Sequence, residues 1–134
     1  MKYLKSSRIY FEDGPKDGIL VVHGKKIVGF LSNDAEVEGV VDYGNQRIIP
    51  GICDTHNHGT YGYDADDRFG GDEEKIKENL RHYLKALTYE GVTSGLPTVT
   101  NVIKELAEVK EEGYVGAAVL GIHSEGPGAV HPGL

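Results

Sequence analysis

The sequence predicts an α/β protein in which a small β-rich segment precedes a parallel β-sheet covered by helices. Two observations predict this class. The first 48 residues show short β-type runs separated by turn residues, without a helical period. From residue 49 onward, the order is strand, helix, strand, helix, strand, which is typical of a parallel sheet. We therefore divide the 134 residues into segments 1–48 and 49–134.

The first segment contains short β-type runs at residues 8–11, 19–22, 26–31 and 37–42. Gly24 lies between the second and third runs, which is typical of a hairpin loop. Turn residues separate the other runs as well. We predict that this segment is a small antiparallel β module.

A short apolar run that ends in polar residues, residues 47–56, leads into the second segment, with Pro50 at a position that suits a strand start or a bulge. A glycine-rich acidic loop follows. Asp72 is the predicted N-cap of the first helix, and Gly91 suits its end. Apolar residues at steps of three and four give this helix one apolar face: Ile76, Leu80, Leu84 and Leu87.

A second strand is predicted at residues 92–97, and a second helix follows it. Thr100 or Asn101 is the predicted cap of that helix. The third strand, at residues 114–123, is apolar enough to be covered on both faces, as parallel strands are.

Composition and charge narrow the classes of partner. The net charge of −7 disfavours a nucleic-acid surface and suits small-molecule partners. No apolar run approaches the roughly 18–20 residues that span a membrane, and the start of the chain does not resemble a signal peptide. Cys53 is the single cysteine, and we expect it to be a small buried core residue. We expect a cytoplasmic protein with no nucleic-acid or membrane partner.

Side chains with metal-binding chemistry follow two of the predicted strands. His56 and His58 follow the first strand, and Glu125 follows the third strand together with His123. Residues two apart on an extended chain point to the same side, so both imidazoles can face one ion. Because ligands of parallel α/β sheets bind at the carboxyl ends of the strands, we predict one shared metal site. His123 is either a hydrogen-bond partner at that site or a buried histidine.

Three segments, in this order, resemble a known family. "IIPGICDTHNHGTYGYD" resembles the metal-binding signature of the amidohydrolase superfamily, an apolar strand followed by Asp-x-His-x-His. "GVTSGLPT" and "LGIHSEGP" narrow the resemblance to the N-acetylglucosamine-6-phosphate deacetylase family. The resemblance implies that residues 49–134 are the first three β/α units of a (β/α)8 TIM barrel, and that residues 1–48 belong to a small β-sandwich. It also implies that His56, His58 and Glu125 are metal ligands.

The resemblance further implies a reaction, hydrolysis of the acetamide of an amino-sugar phosphate by metal-activated water. The ligand types suit zinc, iron, manganese or cobalt, with one or two ions per site. The family's further histidine ligands, its catalytic aspartate and most substrate contacts lie on later strands. After Glu125 this chain offers only His131 as a candidate. We therefore assign no catalytic or substrate-binding residue, and expect an N-terminal fragment that is inactive or nearly so alone.

Two other interpretations stay open. A dihydroorotase-like cyclic amidase or a deaminase shares the His-x-His strand, but is not expected to contain "HSEGP". A non-enzymatic interaction module built on a truncated barrel should bind no metal through His56 and His58. Three β/α units leave two strand edges and apolar surface uncovered, which favours a homodimer or other association through these edges.

The remaining candidates are interpreted as surface groups. His23 lies in the predicted hairpin loop and His82 on the first helix, so both are expected to be exposed. Asp64, Asp66 and Asp67 either bind a cation or form a solvated loop. The solvated loop is favoured because no calcium-loop spacing follows.

Overall fold

The computed structural model describes residues 1–66 and 71–125. Asp67 and His131, two candidates from the sequence, lie outside the described residues. The chain is an α/β protein with mixed sheets and divides into two compact units, Met1–Pro50 and Gly51–Leu134. Neither of the two α-helices in the described part of the chain is long and apolar enough to cross a membrane.

The first unit is a five-stranded sheet around a small core of Ile9, Ile19, Leu20 and Val21. The strands of the unit are β1 (Lys2–Phe11), β2 (Gly14–His23), β3 (Lys26–Leu31), β4 (Val40–Asp42) and β5 (Arg47–Ile48). The first three pair in antiparallel order, β1 with β2 and β2 with β3. The turn between β2 and β3 contains Gly24 at a φ of 59°.

The prediction of a small antiparallel module holds for β1, β2 and β3, but it is wrong for β4 and β5, which both pair with β1 in parallel. The segment between β3 and β4 carries the chain past β2 to the other side of β1, so that β4 runs in the same direction as β1. Parallel pairing needs such a long return connection, whereas a tight turn can only join antiparallel strands.

The second unit contains a three-stranded parallel sheet, made of β6 (Ile52–Asn57), β9 (Val92–Pro97) and β10 (Ala118–Val119). The order of the strands across the sheet is β10-β9-β6. Beyond β9 and β10, one further parallel bridge joins Thr98 to His123. The carboxyl ends of the strands therefore lie at one edge, as predicted from the alternation of strands and helices.

A short hairpin follows β6, where the sequence predicts only a loop. Its strands are β7 (Gly59–Thr60) and β8 (Tyr63–Asp64). Tyr61 and Gly62 join them at φ values of 51° and 81°. Positive φ at both central positions is the geometry of the tightest hairpin turns, for which Asn-Gly is the usual signal. Tyr61 replaces the asparagine, which is why the pattern does not indicate a hairpin.

Helix α1 (Glu73–Leu87) begins as predicted, because the Asp72 carboxylate accepts a hydrogen bond of 3.0 Å from the amide of Lys75. A 3₁₀ turn, Thr88–Glu90, continues it, and Gly91 ends the turn at a φ of 78°. The predicted apolar face holds for Leu80, Leu84 and Leu87, which are all buried.

Helix α2 (Ile103–Glu112) begins differently from the prediction, since its N-cap residue Val102 makes no side-chain cap. Instead, the Asp66 carboxylate accepts hydrogen bonds from the amides of Thr100 at 3.1 Å, Asn101 at 2.9 Å and Val102 at 3.3 Å. An anionic acceptor at a helix N-terminus satisfies free amides and opposes the helix dipole. The predicted solvated loop is therefore wrong for Asp66. It is also wrong for Asp64, whose exposed fraction is 7%.

One contiguous core fills the second unit. Its buried members come from the sheet, both helices and the segments joining them: Ala65, Leu80, Tyr83, Leu84, Leu87, Val92, Val99, Val102, Leu106, Val109, Ala117 and Val119. In contrast, Leu120 is 63% exposed and Ile122 is 40% exposed. The third strand, β10, consists of two residues and is therefore shorter than the predicted 114–123. The exposure of Leu120 and Ile122 also shows that the predicted strand is not covered on both faces by described residues.

Cys53 is exposed, so the prediction that it is a buried core residue is wrong. It lies in β6, which is an edge strand of the three-stranded sheet. Alternation along a strand sends neighbouring side chains to opposite faces, and Asp54 lines a cavity together with Leu84 and Leu87 of the first helix. Cys53 is therefore on the opposite face of β6 from Asp54, where its side chain is exposed.

Lys77 joins the two helices electrostatically. Its ammonium lies 2.8 Å from the carboxylate of Glu74 and 3.1 Å from that of Glu112, while its side chain is only 8% exposed. Hydrogen bonds with these two glutamates raise the pKa of Lys77 well above its usual value. A cation this well enclosed and paired is expected to contribute more to stability than a surface ion pair.

We expect Lys77→Ala to lower the melting temperature by several degrees, because it leaves Glu74 and Glu112 without their shared cation. Lys75→Ala is the matched control, since the Lys75 side chain is 78% exposed and forms an ion pair with Asp72. Circular dichroism during heating measures the melting temperature of both variants. Equal melting temperatures for the two would contradict a bridging role for Lys77.

Candidate metal centre

The ends of β6 and of the segment after β10 bring three metal-ligating side chains together. Nε2 of His56 lies 2.9 Å from Oε1 of Glu125, and Nε2 of His58 lies 3.4 Å from the same oxygen. The two Nε2 atoms are 3.2 Å apart. In residues 1–66 and 71–125, this is the single group of three or more histidine, cysteine or acidic side chains with ligand atoms clustered closely enough to share an ion.

The spacing of these ligand atoms fits a metal ion. Four ligands at about 2.0–2.1 Å from a tetrahedral zinc ion lie roughly 3.3 Å from one another. The three atoms form a triangle with sides of 2.9, 3.2 and 3.4 Å. Two imidazoles and one carboxylate are also a donor set that zinc and other first-row metals accept. The residues present can therefore supply three ligands on one face of an ion.

The electrostatics of the cluster favour a cation. Burial tends to raise the pKa of Glu125, but the hydrogen bond with His56 and the nearby His58 and His123 rings outweigh this and hold the pKa below its usual value. Glu125 is therefore ionised at neutral pH and supplies a negative charge. The side chains of His56 and His58 are each about half exposed, at 50% and 52%, so the cluster is open to small molecules in solution.

His123 stands beside the cluster without joining its triangle. Its ring stacks on the ring of His56 at a centroid distance of 4.3 Å and an interplanar angle of 23°. Its backbone amide donates to Pro97 at 2.9 Å, and its carbonyl accepts from Val99 at 3.2 Å. These bonds fasten the segment that carries Glu125 to the end of β9, so His123 contributes to placing Glu125.

The backbone around the two histidines is bulged. Asp54 is opposite Gly95 in the register of β6 and β9, whereas Asn57 is opposite Pro97, so three steps on β6 match two steps on β9. An extra residue of this kind bends a strand and turns its side chains. The Asp54 carboxylate accepts from the amide of His56 at 3.1 Å, and the Asn57 side chain accepts from the amide of Gly59 at 2.9 Å.

The other histidines that the sequence offers lie elsewhere in the described residues. His23 is exposed at the end of β2, as predicted. His82 is also exposed, and its ring lies 5.1 Å from that of Tyr63. Sequence patterns did not indicate any role at the site for Asp54, Asn57 or the helix residue Tyr83. Asp54 is part of the Asp-x-His-x-His motif, but only the structure shows that its carboxylate accepts hydrogen bonds from the His56 amide and the Asn57 side chain.

Comparisons with known proteins give partial matches to one named enzyme. The chain is 33% identical to an N-acetylglucosamine-6-phosphate deacetylase of Danio rerio over 94% of its own length and 31% of the relative. It is 25% identical to one of Vibrio furnissii over 80% of its length and 31% of the relative. It is 32% identical to one of Rattus norvegicus over 64% of its length and 22% of the relative. The chain thus spans less than a third of these curated relatives. No protein-family model matches it.

Proposed function

We propose, from the premise that this chain is related over part of its length to N-acetylglucosamine-6-phosphate deacetylases, that it carries part of the metal centre of such an enzyme. The substrate of the whole enzyme would be N-acetylglucosamine 6-phosphate, whose acetamide is hydrolysed to acetate and a free amine. The observation that carries the proposal is the triangle formed by Nε2 of His56, Nε2 of His58 and Oε1 of Glu125.

The three side chains have separable roles in this proposal. His56 and His58 would hold the ion through neutral imidazole nitrogens, and Glu125 would hold it through a carboxylate that also reduces its net charge. When bound, a divalent ion supplies a Lewis acid that activates water and polarises the amide carbonyl. The half-exposed histidines leave one side of the cluster open, which suits the approach of a small substrate.

We further propose that β6, β9 and β10 are the first three strands of a (β/α)8 barrel. Their parallel order supports this, as does the position of the ligands at the carboxyl edge, where such barrels bind their substrates. A barrel of this type occupies about 250 residues. The 134-residue chain by itself is therefore expected to hydrolyse the substrate slowly or not at all.

Titration of the metal-free chain with zinc tests the proposed metal centre. Isothermal titration calorimetry measures the zinc affinity directly. We expect saturable binding that His58→Ala weakens strongly and His23→Ala leaves unchanged, because His58 is part of the triangle and His23 is not. His23 is a matched control, since it is an exposed histidine at the end of β2. Absence of saturable zinc binding would overturn the proposal and favour a non-enzymatic interaction module.

A second measurement separates the hydrolytic alternatives. The zinc-loaded chain is incubated with N-acetylglucosamine 6-phosphate and, in parallel, with dihydroorotate as a cyclic amide. Acetate release at or slightly above the metal-free background is the expected result. Robust turnover of the amino-sugar phosphate would contradict the expected weakness of the isolated chain, and faster opening of the cyclic amide would favour the cyclic amidase.

A further inference from the structure

The bulge in β6 raises a mechanical problem for the metal centre. A regular strand holds each side chain through its ladder of backbone hydrogen bonds, and a bulge interrupts that ladder. Here the interruption falls between Asp54 and Asn57, so it includes His56 and immediately precedes His58. Something other than the regular ladder must keep both imidazoles directed at the same point.

The Asn57 side chain provides a local framework for this segment. Its Nδ2 donates to Oδ2 of Asp54 at 2.9 Å, and its Oδ1 accepts from the amide of Gly59 at 2.9 Å. The other oxygen of Asp54 accepts from the amide of His56 at 3.1 Å. The bonds therefore fix the backbone amide of His56 and the amide that directly follows His58.

The framework is attached to helix α1 through Tyr83. The Tyr83 hydroxyl donates to Oδ1 of Asn57 at 3.2 Å, and the residue has no exposed surface. Burial, together with the charges of Asp54 and Asp64, raises the pKa of Tyr83, so its hydroxyl keeps its proton and remains a donor. Its neighbours on the helix, Leu84 and Leu87, are buried in the same core. Tyr83 thus connects the buried core to the bulged end of the strand.

We propose that Tyr83 and Asn57 are positioning residues that hold the bulged end of β6, so that His56 and His58 are directed at one metal ion. The inference rests on the proposed function for the metal, but the hydrogen-bond chain itself does not depend on an ion. Mutating a residue that orients a metal ligand through hydrogen bonds commonly lowers metal affinity by about 10–100-fold. Tyr83 acts through Asn57 and does not touch the ion.

Two variants test the chain, Tyr83→Phe and Asn57→Ala. Tyr83→Phe keeps the buried ring and removes only the hydroxyl, and we expect it to weaken zinc binding by about 10-fold. Asn57→Ala removes all three bonds of the side chain, and we expect a larger loss, toward about 100-fold. In both variants, hydrogen exchange at the amide of Gly59 is expected to accelerate even without zinc.

Tyr114→Phe is the matched control, because the Tyr114 hydroxyl also makes two hydrogen bonds, at 3.0 Å to the carbonyl of Ala117 and at 2.9 Å from the amide of Val119. None of these bonds involves β6. We expect Tyr114→Phe to cost stability without changing zinc affinity or exchange at Gly59. A thermal unfolding curve for each variant shows that it is folded under the conditions of the titration.

Unchanged zinc affinity and unchanged exchange at Gly59 in folded Tyr83→Phe and Asn57→Ala would overturn the inference. An equal loss of zinc affinity in Tyr114→Phe would also overturn it, since the effect would then reflect general loosening of the unit. If the unmodified chain binds no zinc, the proposed function fails, and exchange decides the inference alone. Faster exchange in Tyr83→Phe then supports the positioning role, and unchanged exchange overturns it.

Discussion

His56→Ala is expected to weaken zinc binding by more than about 100-fold. Removing a residue that only hydrogen-bonds to a metal ligand commonly lowers metal affinity by about 10–100-fold, and His56 is itself a proposed ligand. Nε2 of His56 forms two sides of the ligand triangle, at 3.2 Å to His58 and 2.9 Å to Glu125. Without it, one imidazole and one carboxylate remain, and two ligands hold a divalent ion far less tightly than three. The change also removes the ring on which His123 stacks.

Zinc titration of His56→Ala beside His82→Ala measures this effect. Both substitutions remove an imidazole from an exposed residue, but His82 lies on α1 and packs against Tyr63. The melting temperature of metal-free His56→Ala should stay close to that of the unmodified chain, because the side chain is half exposed. Zinc affinity that is the same in both variants would show that His56 is no ligand.

Leu84→Ala is expected to reduce the free energy of unfolding by about 2–5 kcal/mol, the usual cost of truncating a buried leucine to alanine. Leu84 is 1% exposed and sits where α1 meets the start of the third strand. Its carbonyl accepts a hydrogen bond of 2.9 Å from the amide of Ala117. A Cβ at Gly116 would lie 2.5 Å from the same carbonyl oxygen, so the two backbones already touch.

The close approach of these backbones explains why the site cannot collapse around the missing atoms. The helix cannot move toward the strand to fill the space, so a cavity remains and its cost adds to the lost burial. Leu120→Ala is the matched control, because it makes the same substitution at a leucine that is 63% exposed. Urea unfolding of both variants measures the difference, and we expect less than about 0.5 kcal/mol for the control. Comparable losses would contradict the packing described for Leu84.

The elements that sequence patterns predicted well are those whose causes are local. The first helix begins at its predicted cap because Asp72 and the amide of Lys75 are three residues apart. Its apolar face follows from the helical period, and Gly91 ends the following turn because glycine tolerates a left-handed conformation. The β-rich start and the parallel order of the later strands were also evident from alternation and composition.

The elements that sequence patterns missed depend on partners far along the chain. The second helix is capped by Asp66, which is separated from Thr100 by 34 positions, so no local motif indicates it. The parallel pairing of β4 with β1 depends on where the chain returns, which turn residues do not specify. The exposure of Cys53 depends on which sheet face the helices cover.

The candidate metal centre depends partly on local sequence patterns and partly on contacts that only the tertiary structure creates. Residue chemistry and spacing alone indicated His56, His58 and Glu125, because imidazoles two apart on a strand and a carboxylate after a later strand suit one ion. Only the folded chain shows that the ligand atoms of the first and the last of these lie 2.9 Å apart. It alone shows the bulge and the Tyr83 hydroxyl behind it, since hydrogen bonds between a strand end and a helix arise from packing and leave no periodic trace in the sequence.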